Sequence, residues 1–126
     1  MNNLFDIACN FSSYRFDNDL NEVIQRAKNN NVTKFLVVSA SLKDAEKVNK
    51  IYQDNKDSCF FTIGVHPHHA NEFGSLSSGD MIKLIKEYKP HSVGETGLDF
   101  FRNISSYEEQ LFAFEEQIKV AIDTNL

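Results

Sequence analysis

The sequence predicts a single α/β domain of 126 residues, in which four strands of a parallel sheet alternate with four helices. Two observations predict this fold: short apolar runs with strand composition recur four times, and an amphipathic helical pattern follows each of them. Such alternation is typical of an open doubly wound sheet or of a closed barrel with helices outside. A complete eight-unit barrel needs about 250 residues, so this length suffices for four βα units only.

Two βα units are predicted in the first part of the sequence. The apolar runs from Leu4 to Asn10 and from Lys34 to Ala40 predict strands, and the second run suits a strand buried on both faces. We expect Asp17 to cap the first helix, and Ser41 with Asp44 forms a capping-box pattern before the second. The apolar faces of these helices consist of Leu20, Val23, Ile24 and Ala27, and of Ala45, Val48 and Tyr52.

Two further units complete the pattern. Cys59 to Val65 predicts the third strand, and a long loop to Gly79 follows it. Ser92 to Glu95 predicts a short fourth strand, and Ser106 with Glu109 forms a second capping-box pattern before the fourth helix. The apolar faces consist of Met81, Leu84, Ile85 and Tyr88, and of Leu111, Phe114, Ile118, Ala121 and Ile122.

Charge and motifs exclude several classes of function. The formal net charge is −5 and no cluster of Lys and Arg occurs, which argues against electrostatic binding of nucleic acid but not against an enzyme that meets phosphate through a metal ion. The 11 phenylalanines fall mostly in apolar runs and predict core packing. The sequence contains no GxGxxG, GxxxxGK[ST] or GxSxG motif, which disfavours dinucleotide binding, P-loop chemistry and a nucleophile elbow.

Cysteine use and hydropathy predict a cytoplasmic protein. Cys9 and Cys59 lie in separate apolar segments without a CxxC pair, so we expect reduced core thiols. The N-terminus does not resemble a secretory signal, because Asp6 interrupts the first apolar run. No run approaches the ~20 apolar residues that span a bilayer, and we expect no membrane partner.

Polar residues follow each predicted strand. In parallel α/β folds the ligand site lies beyond the carboxyl ends of the strands. These ends carry Asn10, Ser39 to Ser41, His66 to His68, and Gly94 to Asp99. We therefore expect the chemistry of this protein to centre on His66 and Glu95.

The residue types at these ends leave alternatives open. Glu95, flanked by Gly94 and Gly97, suits a hard divalent cation or a general base, and equally a helix-capping or ion-paired carboxylate. His66, which Pro67 holds extended, suits a phosphate donor or a metal ligand, or a loop histidine bonded to backbone.

Four other polar residues near the strand ends are weaker candidates. Arg102 can hold a phosphate through paired hydrogen bonds or lie solvated at the surface. Asp6 can coordinate or orient a ligand, or bond to neighbouring backbone. His68 and His69 lie further into their loop, where we expect greater exposure to solvent.

Three segments together resemble the TatD family of metal-dependent deoxyribonucleases: FDIACNF at residues 5–11, TIGVHPH at residues 62–68, and VGETGLDF at residues 93–100. The likeness extends over the whole chain. It implies a TIM-type (β/α)8 barrel of the metallo-dependent hydrolase superfamily, of which residues 1–126 form the N-terminal half up to the fourth helix. It also implies 3′-to-5′ exonuclease cleavage of single-stranded DNA or RNA with a divalent metal ion.

The resemblance also implies roles for individual residues. Glu95 matches the metal-binding glutamate and is the expected catalytic residue, and His66, Asn10, Asp99 and Arg102 are the expected substrate-binding residues. Most family members carry His-x-His at the end of the first strand. This chain has Ala8 and Asn10 there, as the subgroup around TatD itself does. Because an amide oxygen is a poor ligand for transition metals, we expect Mg²⁺, with Mn²⁺ as the alternative, rather than zinc.

The remaining metal ligands of the family, two histidines and an aspartate, would lie beyond Leu126. We therefore expect the isolated chain to be close to inactive. Two rival interpretations are a metal-dependent hydrolase of amide or ester bonds, and a non-catalytic half-barrel that pairs with another chain. An isolated half-barrel has two unpaired sheet edges, so we expect it to self-associate, whereas the full-length protein is expected to be a monomer.

Overall fold

The computed structural model describes residues 2–74 and 78–126, and within them four parallel strands form one sheet in the order β1-β2-β3-β4. The strands are β1 (Leu4–Cys9), β2 (Val32–Val37), β3 (Cys59–Ile63) and β4 (Ser92–Val93). The helices are α1 (Leu20–Asn29), α2 (Ala45–Asp54), α3 (Ser78–Tyr88) and α4 (Tyr107–Thr124). Short 3-10 turns cover Tyr14–Phe16, Leu42–Asp44 and Pro67–Gly74. The predicted fold of four βα units is confirmed.

The hydrophobic core lies between the sheet and its helices. Phe35 and Val37 of β2, and Phe61 and Ile63 of β3, are fully buried in one cluster with apolar side chains from all four helices. The ring of Phe61 packs 5.0 Å from that of Tyr52 on α2. Alternating residues of a strand point to opposite faces, so the residues between these ones face away from the helices.

That opposite face of the sheet is open. Phe5 pairs in register with Lys34, and its ring lies 5.5 Å from that of Phe60. The ammonium group of Lys34 lies 5.9 Å from the Phe60 centroid. Every residue of β1 except Cys9 is exposed, and Ile7 reaches 68% exposure. The sheet therefore has a helix-covered face and a face on which apolar side chains meet solvent.

The structure corrects several predicted boundaries. Asp17 does not cap α1, because Ser13 caps an additional 3-10 turn and Asp19 then takes the N-cap position. Asp17 instead pairs with Lys47 at 2.5 Å. The second strand ends at Val37 rather than Ala40, and Gly79, predicted as loop, lies inside α3. Part of that predicted loop, residues 75–77, lies outside the described residues.

Both predicted capping boxes are present. The Ser41–Asp44 box starts the Leu42–Asp44 turn that leads into α2. The Ser106–Glu109 box starts α4, where the Ser106 hydroxyl accepts from the Glu109 N–H at 3.2 Å and the Glu109 carboxylate accepts from the Ser106 N–H at 2.8 Å. Each box satisfies N–H groups that a helix start leaves without partners.

Cys9 and Cys59 are buried and free, as expected. No helix in residues 2–74 and 78–126 is long and apolar enough to cross a membrane.

Candidate functional site

The end of β3 presents His66 in a fixed orientation. The backbone N–H of His66 donates to the carbonyl of Ala40 at 2.9 Å, and its ring Nδ1 accepts from the N–H of His68 at 3.1 Å. Because Nδ1 accepts, the neutral ring carries its proton on Nε2. Burial lowers the pKa of His66, although the Glu95 carboxylate acts in the opposite direction. His66 is therefore a neutral N–H donor near pH 7.

The end of β4 places Glu95 beside this ring. The Glu95 N–H donates to the Ser39 carbonyl at 2.9 Å, and its Oε1 lies 4.0 Å from Nε2 of His66. Gly64 makes this approach possible, since a Cβ there would lie 2.4 Å from the carbonyl carbon of Gly94. The Thr62 hydroxyl donates to the Gly94 carbonyl and ties the two strand ends together.

The segment after β4 holds a second histidine. His68 Nε2 lies 2.6 Å from one carboxylate oxygen of Asp99, and the other oxygen accepts from the Arg102 N–H at 3.0 Å. This backbone hydrogen bond, and then the ring of His68, lower the pKa of the Asp99 carboxyl. Contrary to our expectation of greater solvent exposure, the side chain of His68 is therefore partly buried against a carboxylate.

A cleft of about 230 Å³ unites residues from several strand ends. Its lining consists of Asn10, Ala40, His66, His68, His69 and Glu95. Asp99 lies behind His68, and the exposed guanidinium of Arg102 lies 3.6 Å from Asp99. Asp6 takes the local alternative, because its carboxylate accepts from the N–H of Ala8 at 3.1 Å. The structure thus brings the predicted site residues Asn10, His66 and Glu95 together in one cleft, whereas Asp99 and Arg102 are not part of its lining.

Two buried glutamines of α4, which the sequence analysis did not single out, form hydrogen bonds to the backbone next to the site residues. Gln117 on α4 accepts from the Val65 N–H at 2.7 Å and donates to the Val65 carbonyl at 3.0 Å. Gln110, seven residues earlier on the same helix, accepts from the Asp99 N–H at 2.7 Å and donates to the Ser105 carbonyl at 2.9 Å. The sequence did contain an indication of these residues, because each glutamine is a polar residue on the buried face of α4.

The donors in the cleft fit a hard divalent cation in kind but not in number. Carboxylate and amide oxygens from Glu95 and Asn10 suit Mg²⁺ or Mn²⁺. Across the described ranges, no three His, Cys, Asp or Glu side chains converge as a metal site. The buried hydroxyl of Thr96, next to Glu95, has no hydrogen-bond partner in the described part of the chain. The cleft therefore supplies some, but not all, of the ligands that a divalent cation needs.

Comparison with known proteins identifies the family of this chain. The family model described as "TatD related DNase" matches residues 5–126. A protein named "3'-5' ssDNA/RNA exonuclease TatD" from Pantoea ananatis is 34% identical over 123 residues, which cover 98% of this chain and 47% of that protein.

Two crystal structures show the same fold. A TatD homologue from Escherichia coli K12 matches with a TM-score of 0.87 and 25% identity over 98% of this chain and 48% of its own. An uncharacterized amidohydrolase from Saccharomyces cerevisiae matches with a TM-score of 0.80 and 26% identity over 96% of this chain and 44% of its own.

The chain spans about half the length of the curated relatives it matches. Its four strands correspond to half of a TIM-type barrel. The resemblance predicted from the GVHPH and GETGLD segments is confirmed, and the chain belongs to the family of TatD-related DNases.

Proposed function

We propose that this chain supplies one side of the active site of a metal-dependent nuclease that removes nucleotides from the 3′ end of single-stranded DNA or RNA. The observation that supports this most directly is the meeting of Glu95 and the neutral His66 ring in one cleft at the strand ends. Membership of the TatD-related family and the exonuclease names of the curated relatives give the class of substrate.

Glu95 is the residue of this chain that would hold Mg²⁺, or Mn²⁺ as the alternative, and Asn10 in the same cleft would bind the substrate. When bound, such an ion polarises a phosphate oxygen and acidifies a bound water. The donor set described above is incomplete, so further ligands must come from a second half of the barrel. By itself the 126-residue chain is then close to inactive. The complete protein is a cytoplasmic monomer in this proposal.

The side chains of this chain have separate roles in binding the substrate. The His66 Nε2–H donates to a phosphate oxygen, and the hydrogen bond from the His68 N–H to Nδ1 keeps the proton of the neutral ring on Nε2. Glu95 also accepts the proton of the attacking water. Asp99 acts on the substrate through His68, whose ring it orients at 2.6 Å. Arg102 offsets phosphate charge from the edge of the cleft.

The test replaces Glu95 in a protein that carries this chain together with the second half of the barrel. Glu95→Gln keeps the shape but removes the charge, and we expect Mg²⁺-dependent release of nucleotides from labelled single-stranded DNA to fall by on the order of 10²- to 10⁴-fold. Glu108→Gln, at an exposed position in the first turn of α4, is the matched control and should leave the rate unchanged. Undiminished hydrolysis by Glu95→Gln would refute the proposal.

Hydrolysis of an amide or ester is the second candidate, because one matching structure is described as an amidohydrolase. Related folds host many hydrolyses, so parallel assays on small amides and esters decide between the two. A Glu95-dependent rate on these substrates, with none on nucleic acid, would favour the second candidate. Absence of both activities from the complete barrel would favour a non-catalytic role.

A further inference from the structure

The turn that follows Asp99 and the first residue of α4 together expose three aromatic rings, and Asp99 itself contacts His68 of the cleft. Phe101 is 97% exposed, and Phe100 and Tyr107 are each about half exposed. The last two rings stack on each other, with centroids 4.8 Å apart and an interplanar angle of 28°. We call Phe100, Phe101 and Tyr107 the aromatic rim. Phe101 directly follows one member of this stacked pair, so the three rings form a group of exposed aromatic side chains rather than one isolated exposed residue.

The aromatic rim is carried by an ordered turn. The backbone of Asp99 is fixed by the buried Gln110, and the Asn103 N–H donates to the Asp99 carbonyl at 3.2 Å. At the other end, the Ser105 hydroxyl donates to the carbonyl of His68 at 3.3 Å. Since both ends of the turn are tied to the site, little ordering is needed when a ligand binds. The backbone that carries the rings is therefore held at both ends by residues that contact His68.

A cation accompanies these rings. Arg102 follows Phe101 directly, and its guanidinium is exposed 3.6 Å from Asp99. Aromatic rings on which bases stack, with cations that track the phosphates, are the means by which proteins bind single strands without sequence preference. The net charge of −5 gives little electrostatic attraction for a polyanion. Stacking would supply affinity that bulk charge does not.

We propose that the aromatic rim is a base-stacking subsite for single-stranded nucleic acid, in which Phe101 receives an unstacked base and Arg102 contacts the adjoining phosphate. This subsite rests on the nuclease function proposed above and adds a cause for single-strand preference. In a duplex the faces of the bases are already stacked on each other, so Phe101 favours single-stranded over duplex nucleic acid.

The experiment measures binding of a short single-stranded oligonucleotide containing 2-aminopurine to the 126-residue chain. EDTA is present, so that no metal-dependent cleavage occurs. We expect quenching of 2-aminopurine on binding, and Phe101→Ala should raise the Kd about fivefold or more, the lower end of what one stacked base contributes. Phe101→Trp should preserve binding. Arg102→Gln should reduce the slope of log K against log salt by about 0.7.

Phe112→Ala is the matched control, because Phe112 is an exposed phenylalanine of α4 whose ring packs near Phe73, at 6.2 Å, rather than in the aromatic rim. It should change the Kd less than twofold. The proposal is overturned if the wild-type chain shows no binding at millimolar concentration or if Phe101→Ala binds like wild type. It is also overturned if Phe112→Ala loses as much affinity for the oligonucleotide as Phe101→Ala does. Equal affinity for duplex also overturns it. A different sedimentation mass for Phe101→Ala would assign the ring to a protein contact instead.

These readouts separate the subsite from the nuclease proposal. If Phe101→Ala weakens binding but the complete barrel shows no Glu95-dependent hydrolysis, the nuclease proposal fails alone. If hydrolysis depends on Glu95 but oligonucleotide binding does not depend on Phe101, the stacking subsite fails alone.

Discussion

At the scale of single residues, the geometry of the cleft depends on the contact between Gly64 and Gly94. A Cβ at Gly64 would lie within 2.4 to 2.6 Å of three backbone atoms of Gly94. Backbone cannot swing aside as the end of a flexible side chain can. Since Glu95 follows Gly94 directly, any side chain at Gly64 would push this carboxylate away from His66.

We therefore predict that Gly64→Ala destabilises the protein by about 1–3 kcal/mol, the usual cost of overpacking. Gly74→Ala is the matched control, because among residues 2–74 and 78–126 no atom lies within 4 Å of a Cβ placed there. It should change stability by less than about 0.5 kcal/mol or stabilise slightly. Urea unfolding of both variants measures the difference. Equal midpoints for the two variants would contradict the steric argument.

The sequence predicted the positions of His66 and Glu95 because both follow apolar strands, and parallel strands end at the same edge of a sheet. The pairing of His68 with Asp99 was not predictable in this way. Those residues are 31 positions apart, and their contact at 2.6 Å depends on the path of two irregular loops. Periodicity carries no information about such paths.

At the scale of elements, α4 fixes segments that belong to two different βα units. Gln117 satisfies the N–H and carbonyl of Val65, next to His66, and Gln110 satisfies the N–H of Asp99. Both glutamines are only 1% exposed. Seven residues make almost two helical turns, so the two side chains lie on one face and reach the two segments from the same side.

We predict that Gln117→Leu destabilises the protein by about 2 kcal/mol or more, because it leaves both polar groups of Val65 buried without partners. Gln53→Leu, at an exposed glutamine of α2, is the matched control and should cost less than about 0.5 kcal/mol. Thermal and urea unfolding measure both values. A mild effect of Gln117→Leu would show that water replaces the glutamine at Val65.

The helices were predicted more accurately than the ends of the strands. The predicted apolar faces of α1 to α3 do pack against the core. The predicted face of α4 is wrong: its buried residues are Gln110, Ala113, Gln117 and Val120, whereas Ile118 and Ile122 are exposed. Apolar residues occur around most of α4, so its pattern alone does not show which side faces the core. Strand β4 has only two paired residues, and β2 ends at Val37 although apolar residues continue. Where pairing stops depends on the neighbouring strand, and a local pattern does not contain that information.

At the scale of the whole molecule, large apolar surfaces remain uncovered. In the described sheet β1 and β4 are the outermost strands, so each has an edge without a strand beside it. Exposed apolar residues lie on the open sheet face and on the outer side of α4: Phe5, Ile7, Phe112, Ile118 and Ile122. Unpaired edges and apolar patches of this kind favour association.

We predict that the isolated 126-residue chain self-associates in a concentration-dependent manner. The double variant Ile7→Lys with Ile122→Lys should lower the mass seen in sedimentation equilibrium, because lysine blunts an edge strand and disrupts an apolar patch. Tyr14→Lys, which replaces an exposed aromatic residue outside both surfaces, is the control and should leave the mass unchanged. A stable wild-type monomer at high concentration would be the contrary result.

The position of α4 in the chain also has a consequence for protein synthesis. His66 and Asp99 leave the ribosome before Gln110 and Gln117, whose side chains hold their two segments. Until α4 docks, Val65 and Asp99 lack these partners. In a nascent chain that has already exposed His66 and Glu95, the cleft therefore depends on the bonds of these residues to Ala40 and Ser39 alone. The order of the sequence therefore supplies the support from Gln110 and Gln117 last among the elements of this chain.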